Sequence, residues 1–212
     1  MWFFNYSNVI DPILKGLRVF IIKFAGIKAG DRVLDVCCGT GDQVFHYAKV
    51  DAITYGIDLN PKMIEVAEKN KKKLGLDNVF FQIADAQNLP FKDNFFDCAS
   101  VSFGLHEKER KARDKIISEM KRVVKEGGNL IFIDFQVPLP QAPFSWLIKT
   151  VEYFAGTNHY EYFKDYLWQG GLNEILKENQ LRIEKNERTK NGIVEIIKAK
   201  NNYIAAPEKG GF

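Results

Sequence analysis

Cysteine is scarce in this 212-residue chain: Cys37, Cys38 and Cys98 are the whole set. Their odd number, the adjacency of two of them and the lack of zinc-ligand spacing exclude a disulfide framework and give no reason to expect a metal. A reduced, cytoplasmic setting is the expectation. A basic leader is missing too. Met1-Trp2-Phe3-Phe4-Asn5-Tyr6 has no basic side chain and the first lysine is Lys15, so no secretory signal is expected. The most apolar stretch, Leu17 to Ile27, contains Arg18 and Lys23 and falls well short of the ~20 residues a membrane-spanning helix needs. No sign of charge dominates: 30 basic against 27 acidic residues leave +3, too balanced for a dedicated nucleic-acid binder. The basic stretch from Glu107 to Lys125 has acids interleaved, and both it and Lys69 to Lys73 read as solvated faces. No repeat or low-complexity tract occurs, and 46% hydrophobic with 27% charged residues excludes disorder, collagen and coiled coil.

What is present is alternation. Ile10, Ile13, Leu14, Leu17, Phe20, Ile21 and Phe24 fall at helical spacing, which predicts an amphipathic helix over about 9–26. Arg32–Val36, Ala52–Ile57, Val79–Ile83, Phe96–Val101 and Leu130–Phe135 are short apolar runs that read as buried strands. Between them lie helical segments: Gln43–Val50, the stretch opened by Asn60-Pro61, and Glu107–Lys125, with Gly127-Gly128 as its stop. Strand and helix in turn predict a parallel sheet covered on both faces. Leu181–Arg188 and Ile193–Ala199, joined through Asn191-Gly192, predict a hairpin, so the last strand should run antiparallel. The fold class is α/β: a Rossmann-like, doubly wound, seven-stranded, mostly parallel sheet with an antiparallel last strand. Of the 28 aromatic residues, 13 lie in residues 1–6 and 144–168, which makes these segments candidates for a lid. One domain is expected, with an N-terminal helical lid (1–30), a cofactor-binding core (31–135), an aromatic cap (136–170) and a C-terminal helix and hairpin (171–212).

The first strand opens into Cys37-Cys38-Gly39-Thr40-Gly41-Asp42. Glycines there let a ligand approach the backbone. A dinucleotide would call for a third glycine and an uncluttered helix start for its pyrophosphate. Here the third position is Val44, and Asp35 and Asp42 flank the turn. That setting suits a ligand with a positive end and no phosphate, and S-adenosylmethionine is one. Asp58, followed by Leu59, ends the second strand, where a carboxylate can accept both ribose hydroxyls, although nicotinamide enzymes use the same position. Asp85 and Ala86 end the third, placed for an adenine amine and ring nitrogen. Ser102 and Phe103 leave the fourth, near the sheet's switch point, with His106 just beyond.

These blocks, with Leu89-Pro90-Phe91 and Arg122 to Gly128, resemble the class I S-adenosylmethionine-dependent methyltransferases, and among them the ubiquinone/menaquinone-biosynthesis C-methyltransferases. The resemblance covers about residues 6–135. It implies cofactor contacts from Thr40, Asp58, Asp85, Ala86 and Ser102 beside Asp35, Cys37, Gly39 and Gly41, with Leu59 and Phe103 adjoining, and S-adenosylhomocysteine as product. Where those enzymes read Arg-Asn-Val after Phe-Gly-Leu, this chain has His106-Glu107-Lys108, and Cys37 stands at the usual first glycine.

The expected reaction is methyl transfer to a small, aromatic or lipophilic acceptor, such as a quinol carbon. His106 and His159 are candidate general bases, since an unperturbed imidazole titrates near neutrality. Cys37-Cys38 is weighed as a redox or metal pair and read instead as packing. The aromatic N-terminus is either a lid or a peripheral membrane contact. The alternatives are a nicotinamide-dependent oxidoreductase and a non-catalytic adenosylmethionine-binding protein. Oligomeric state is not readable.

Overall fold

The computed structural model describes residues 6–141, 144–189 and 192–202. Residues 1–5, Pro143 and Asn191, and the side chains of Ile10, Ile13 and Leu14, lie outside the described part. The elements in chain order are α1 (Tyr6–Ala25), β1 (Arg32–Val36), α2 (Asp42–Ala48), β2 (Ile53–Asp58), α3 (Pro61–Leu74), β3 (Val79–Ile83) and β4 (Phe96–Ser102). Then follow α4 (Arg110–Val123), β5 (Val124–Phe135), α5 (Phe144–Ala155), α6 (Thr157–Gln169), α7 (Gly171–Glu178), β6 (Arg182–Arg188) and β7 (Val194–Lys200).

Among the described residues the strands form a seven-stranded sheet in the order β3-β2-β1-β4-β5-β7-β6. All neighbours from β3 to β5 are parallel, and β7 runs antiparallel to both β5 and β6. The chain winds outward from β1 to β3, then crosses to β4 and β5. The order therefore reverses between β1 and β4, and a crevice opens at the carboxyl ends of those two strands.

One face of the sheet is covered by α1, α2 and α3. Leu17, Ile21 and Phe24 of α1 pack on Val33, Ile131, Ile133 and Ile196, while Val44 and Phe45 of α2 meet Ile64 and Val79. Phe20, expected on the buried stripe, is 41% exposed; the strand face is filled by its neighbours one turn away. The opposite face carries α4, α6 and α7, with Ile116, Ile117, Met120, Phe163, Tyr166, Leu172 and Ile175 on Leu34, Val101 and Phe132. Burying such side chains is worth about 1.5–3 kcal/mol each and drives the layering.

Local chemistry explains the helix ends. The Asn60 carboxamide accepts from the Lys62 N–H at 3.0 Å with Pro61 in the first turn, and Gly75 closes α3 in the left-handed region behind Lys71, Lys72 and Lys73. Two expectations need correction. The α4 helix begins at Arg110 rather than Glu107, because the chain from Phe103 to Glu109 is held as a loop across the ends of β4 and β5. Gly127-Gly128 is not a helix stop. The α4 helix passes directly into β5 at Val124, and the glycine pair lies inside that strand, at the irregularity between the Phe96↔Val124 and Cys98↔Asn129 pairings.

Candidate functional site

At the crevice two side chains sit on left-handed backbone, Cys37 (φ 57°) at the end of β1 and Phe103 (φ 54°) at the end of β4. Such conformations cost of order 1–3 kcal/mol each and cluster at functional sites. Cys37 thus holds the conformation that glycine adopts freely. Gly41 (φ 84°) could not be replaced, since a Cβ there would stand 2.5 Å from Phe81 Cζ, whereas a Cβ on Gly39 would meet nothing within 4 Å. The turn is packed from beneath at Gly41 and open above Gly39.

The Asp58 carboxylate is latched at both oxygens: the Gly39 N–H donates to Oδ2 at 2.9 Å and the Asn60 N–H to Oδ1 at 2.8 Å. Each oxygen keeps a lone pair for a ligand. The Ala84 N–H donates to the Asp58 carbonyl at 3.1 Å, which ties the exit of β3 to that of β2. Asp85 is exposed and accepts from the Gln87 N–H at 2.9 Å, a local turn that leaves its second oxygen to solvent. Ala86 is buried in the core. The loop beyond is fastened by Arg122, which donates to the Leu89 and Phe91 carbonyls and pairs with Glu119 and Asp93. Leu59 and Ile83 stand uncovered beside the two carboxylates, at 66% and 51% exposure. The Ser102 hydroxyl is buried with no hydrogen-bond partner, as a group reserved for a ligand would be. Thr40 bonds to Asp42 Oδ2 at 3.4 Å. These features fit a ligand with vicinal hydroxyls and an amine-bearing ring. A pyrophosphate fits poorly, since Val44 fills the third glycine position and is fully buried.

The acids that flank the turn are disposed differently from the sequence expectation. Asp42 pairs with Arg18 of α1 at 3.3 Å, and Asp35 points into the sheet, 2% exposed, accepting from the Ser100 hydroxyl at 2.6 Å. Asp35 therefore ties β1 to β4 beneath the turn. Burial is the main reason its carboxyl is pushed up from 3.8 to about 7, against the pull of Ser100 and Arg18. Below about pH 4 folded and unfolded chains both hold this proton; between about 4 and 7 only the folded chain does, and above that neither does. This group's contribution to stability therefore falls as pH rises through the window and is level beyond it. Asp35→Asn keeps an acceptor for Ser100 and cannot ionise. The difference in unfolding free energy, variant minus parent, is expected to rise from pH 5 to 7, by a few kcal/mol at most, and then hold. A gap independent of pH would overturn this reading.

Burial also pushes the Cys37 and Cys98 thiols up to about 12 and Cys38 higher still. All three are protonated at neutral pH and pack as small apolar groups.

Beyond β4 the loop presses on the turn: a Cβ on Gly104 would lie 3.0 Å from Cys37 Cβ. His106 follows, 3% exposed. Its backbone N–H donates to Asp134 Oδ2 at 3.1 Å, and its Nδ1 lies 2.6 Å from Asp134 Oδ1. Its Nε2 is 3.6 Å from Glu152 Oε2 on α5, and the same oxygen is 2.6 Å from Nε2 of His159 on α6. His159 Nδ1 stands 3.7 Å from Glu107, which pairs with Lys108 at 2.8 Å. Burial opposes charge on the His106 ring, but Asp134, then Glu152 and Glu107, outweigh it and hold its pKa above the usual range. Phe135, Phe163 and Tyr166 enclose the ring. His106 is thus an interior group, and His159, 24% exposed, is the open end of the chain of bonds.

The two histidines were legible as candidates; Asp134, Glu152 and Glu107 were not singled out. Asp134 is an acid inside the apolar run Leu130–Phe135, and Glu152 is the sole acid of an aromatic helix, the signals that mark buried, paired charge. On α5 and α6, Trp146, Lys149, Thr150, Tyr153 and Tyr160 line an open hollow of about 250 Å³.

The family model described as the ubiE/COQ5 methyltransferase family matches residues 12–183. A ubiquinone/menaquinone biosynthesis C-methyltransferase UbiE from Pseudomonas putida is 38% identical over 142 residues, 63% of this chain and 55% of that protein. Its namesake from Teredinibacter turnerae is 40% identical over 142 residues, covering 63% and 56%. The chain spans about half the length of these relatives. Among solved structures, an S-adenosylmethionine-dependent methyltransferase from Aquifex aeolicus superposes with a TM-score of 0.70 at 24% identity, over 92% of this chain and 96% of that one. The geranyl diphosphate C-methyltransferase of Streptomyces coelicolor superposes with 0.65 at 13% identity, over 90% and 81%. These two likenesses are of fold.

Proposed function

The chain belongs to the ubiE/COQ5 methyltransferase family, and we propose that it binds S-adenosylmethionine at the β1–β4 crevice and directs its methyl group to a small, planar or lipophilic acceptor. The observation that carries this reading is the Asp58 carboxylate, held by the Gly39 and Asn60 amides with lone pairs to spare beside the open face of Gly39.

When bound, the cofactor supplies a methyl group already activated by its sulfonium. The chain's own residues bind and orient. Asp58 accepts the ribose hydroxyls, Asp85 an adenine amine, and the Ala86 amide faces a ring nitrogen. Leu59 lines the ring, the Ser102 hydroxyl takes a polar atom of the amino-acid end, and Cys37, Thr40, Gly41 and Phe103 shape the walls. Asp35 ties β1 to β4 beneath the turn. Holding two reactants in line and excluding water removes several kcal/mol of barrier. If the acceptor is a quinol, its hydroxyl proton passes toward the His159–Glu152–His106 cluster, with His159 at the exposed end.

The relatives' names include ubiquinone and menaquinone biosynthesis, which favours a quinol-like ring carbon. Exposed aromatics on the cap, Trp146, Tyr153, Phe154 and Trp168, favour a lipophilic acceptor met at a surface. No helix among the described residues is long and apolar enough to cross a membrane, and we place the protein in the cytoplasm with peripheral contact through these side chains.

Thermal-shift titration with S-adenosylhomocysteine, beside NADH and NADPH, tests the reading. At about 100 times its dissociation constant a ligand adds ~2.7 kcal/mol, a rise of roughly 5–10 °C for a chain of this size. A rise with S-adenosylhomocysteine alone is expected; a rise with a nicotinamide alone would overturn the assignment.

A further inference from the structure

The cluster at His106, Glu152 and His159 has more structure than a proton acceptor needs. We propose that it is a binding site for a divalent first-row transition ion, Zn²⁺ or Fe²⁺ by its ligand chemistry, held by the two Nε2 atoms and a Glu152 carboxylate oxygen.

The three donor atoms lie within 4.8 Å of one another. Ligands at about 2.0–2.2 Å from a tetrahedral ion stand roughly 3.3–3.6 Å apart. The Glu152 Oε2 to His106 Nε2 separation is already 3.6 Å, and the 2.6 Å between Oε2 and His159 Nε2 needs only a modest opening at the exposed ring. The far side of each imidazole faces an acid: Asp134 Oδ1 at 2.6 Å from His106 Nδ1, and Glu107 Oε2 at 3.7 Å from His159 Nδ1. A carboxylate behind a histidine fixes the ring and aims its other nitrogen, the usual surroundings of metal-bound imidazole.

Charge argues the same way. Asp134 and Glu152 are 1% and 2% exposed, and two buried carboxylates against the imidazoles call for positive charge that water does not supply. A divalent ion meets that need at one point. Two nitrogens and one oxygen suit zinc or ferrous iron rather than magnesium or calcium, which prefer oxygen. Three protein ligands leave at least one position free, and His159 places the open side at the exposed edge. The ligands come from the β4–α4 loop, α5 and α6, so the ion would pin the aromatic cap to the end of the sheet. It would take the place of the protons that the cluster otherwise shares. The inference is independent of the cofactor reading.

The test uses untagged protein stripped with EDTA and titrated with Co²⁺, as a visible-absorbing substitute for zinc, and with Zn²⁺ in competition. One Co²⁺ per chain with ligand-field bands, displaced by Zn²⁺, is expected. The chain has three histidines, so His46, outside the cluster, supplies the control. His46→Ala should bind Co²⁺ as the parent does, while His159→Ala and Glu152→Gln should each weaken it by at least about 10–100-fold, the range that outer-sphere substitutions alone reach. His159 is exposed enough for its variant to fold. S-adenosylhomocysteine titrations on the same samples report folding and the cofactor site separately. No Co²⁺ uptake by the parent, or uptake undiminished in His159→Ala and Glu152→Gln, would overturn the site whatever the S-adenosylhomocysteine result.

Discussion

Arg113→Ala is expected to remove about 3–5 kcal/mol of folding stability, the range for stripping one partner from a buried charge network. The Arg113 side chain is fully buried, and each of its three nitrogens donates. Nε donates to the Leu105 carbonyl at 3.1 Å, Nη1 to Asp165 at 2.7 Å and to Gln169 at 2.8 Å, and Nη2 to the Tyr162 carbonyl at 2.7 Å. One guanidinium thus joins α4 to the loop that carries His106 and to α6, which carries His159. Truncation leaves the Gln169 carboxamide oxygen without its donor at about 1–3 kcal/mol where water cannot reach, and strips one bond each from the Leu105 carbonyl, which keeps the Lys108 N–H, and from the Tyr162 carbonyl inside α6, while Asp165, 40% exposed, recovers much of its hydration. Arg113→Met separates lost volume from lost bonds: it fills the space and should still cost more than half of the alanine effect. Arg113→Lys should not rescue, because an ammonium cannot reproduce the planar fork. Urea unfolding measures all three. A loss under about 1 kcal/mol in Arg113→Ala would show that α6 is held by its apolar contacts alone.

That residue also marks where sequence reading fell short. In Arg110–Val123 the many lysines and arginines suggested a solvated face, yet Arg113 sits on the stripe of Ile116, Ile117 and Met120, one turn before them. Helical spacing placed it inside; its charge argued it out. The strands were legible because each is a short apolar run between turn signals, and the Asn60-Pro61 start was legible because capping is local chemistry. The glycine turn and Asp58 were found for the same reason. The cluster of His106, Asp134, Glu152 and His159 was not, since its members come from four segments that only the crossing of the cap over β4 and β5 brings together. The orientation of Asp35 was hidden as well: a strand's alternation shows that a side chain faces one side, not which helix covers it. Gly127-Gly128 misled because a glycine pair after a helix has the same appearance whether the chain stops or bulges into a strand.

Asp58→Ala should weaken S-adenosylhomocysteine binding by about 10- to 100-fold, the equivalent of ~1.5–3 kcal/mol for charge-assisted hydrogen bonds to the ribose. Two losses combine. The ligand forfeits its acceptor, and the Gly39 and Asn60 amides forfeit theirs, so the turn loses the strut that keeps its open face presented. Asp58→Asn tests the second loss: an amide offers one acceptor and turns an N–H toward one of two backbone donors, so it should fall between alanine and parent. Asp85→Ala is the comparison that calibrates both, because Asp85 is exposed and its one internal bond is to a neighbouring amide. Its contribution is weakened by competing water, and a loss of less than about 10-fold is expected. The ordering Asp58→Ala, then Asp58→Asn, then Asp85→Ala, read by calorimetry, follows from burial and latching together. Unchanged affinity in a folded Asp58→Ala variant would move the site away from the end of β2, and with it the reason for the Gly39 opening.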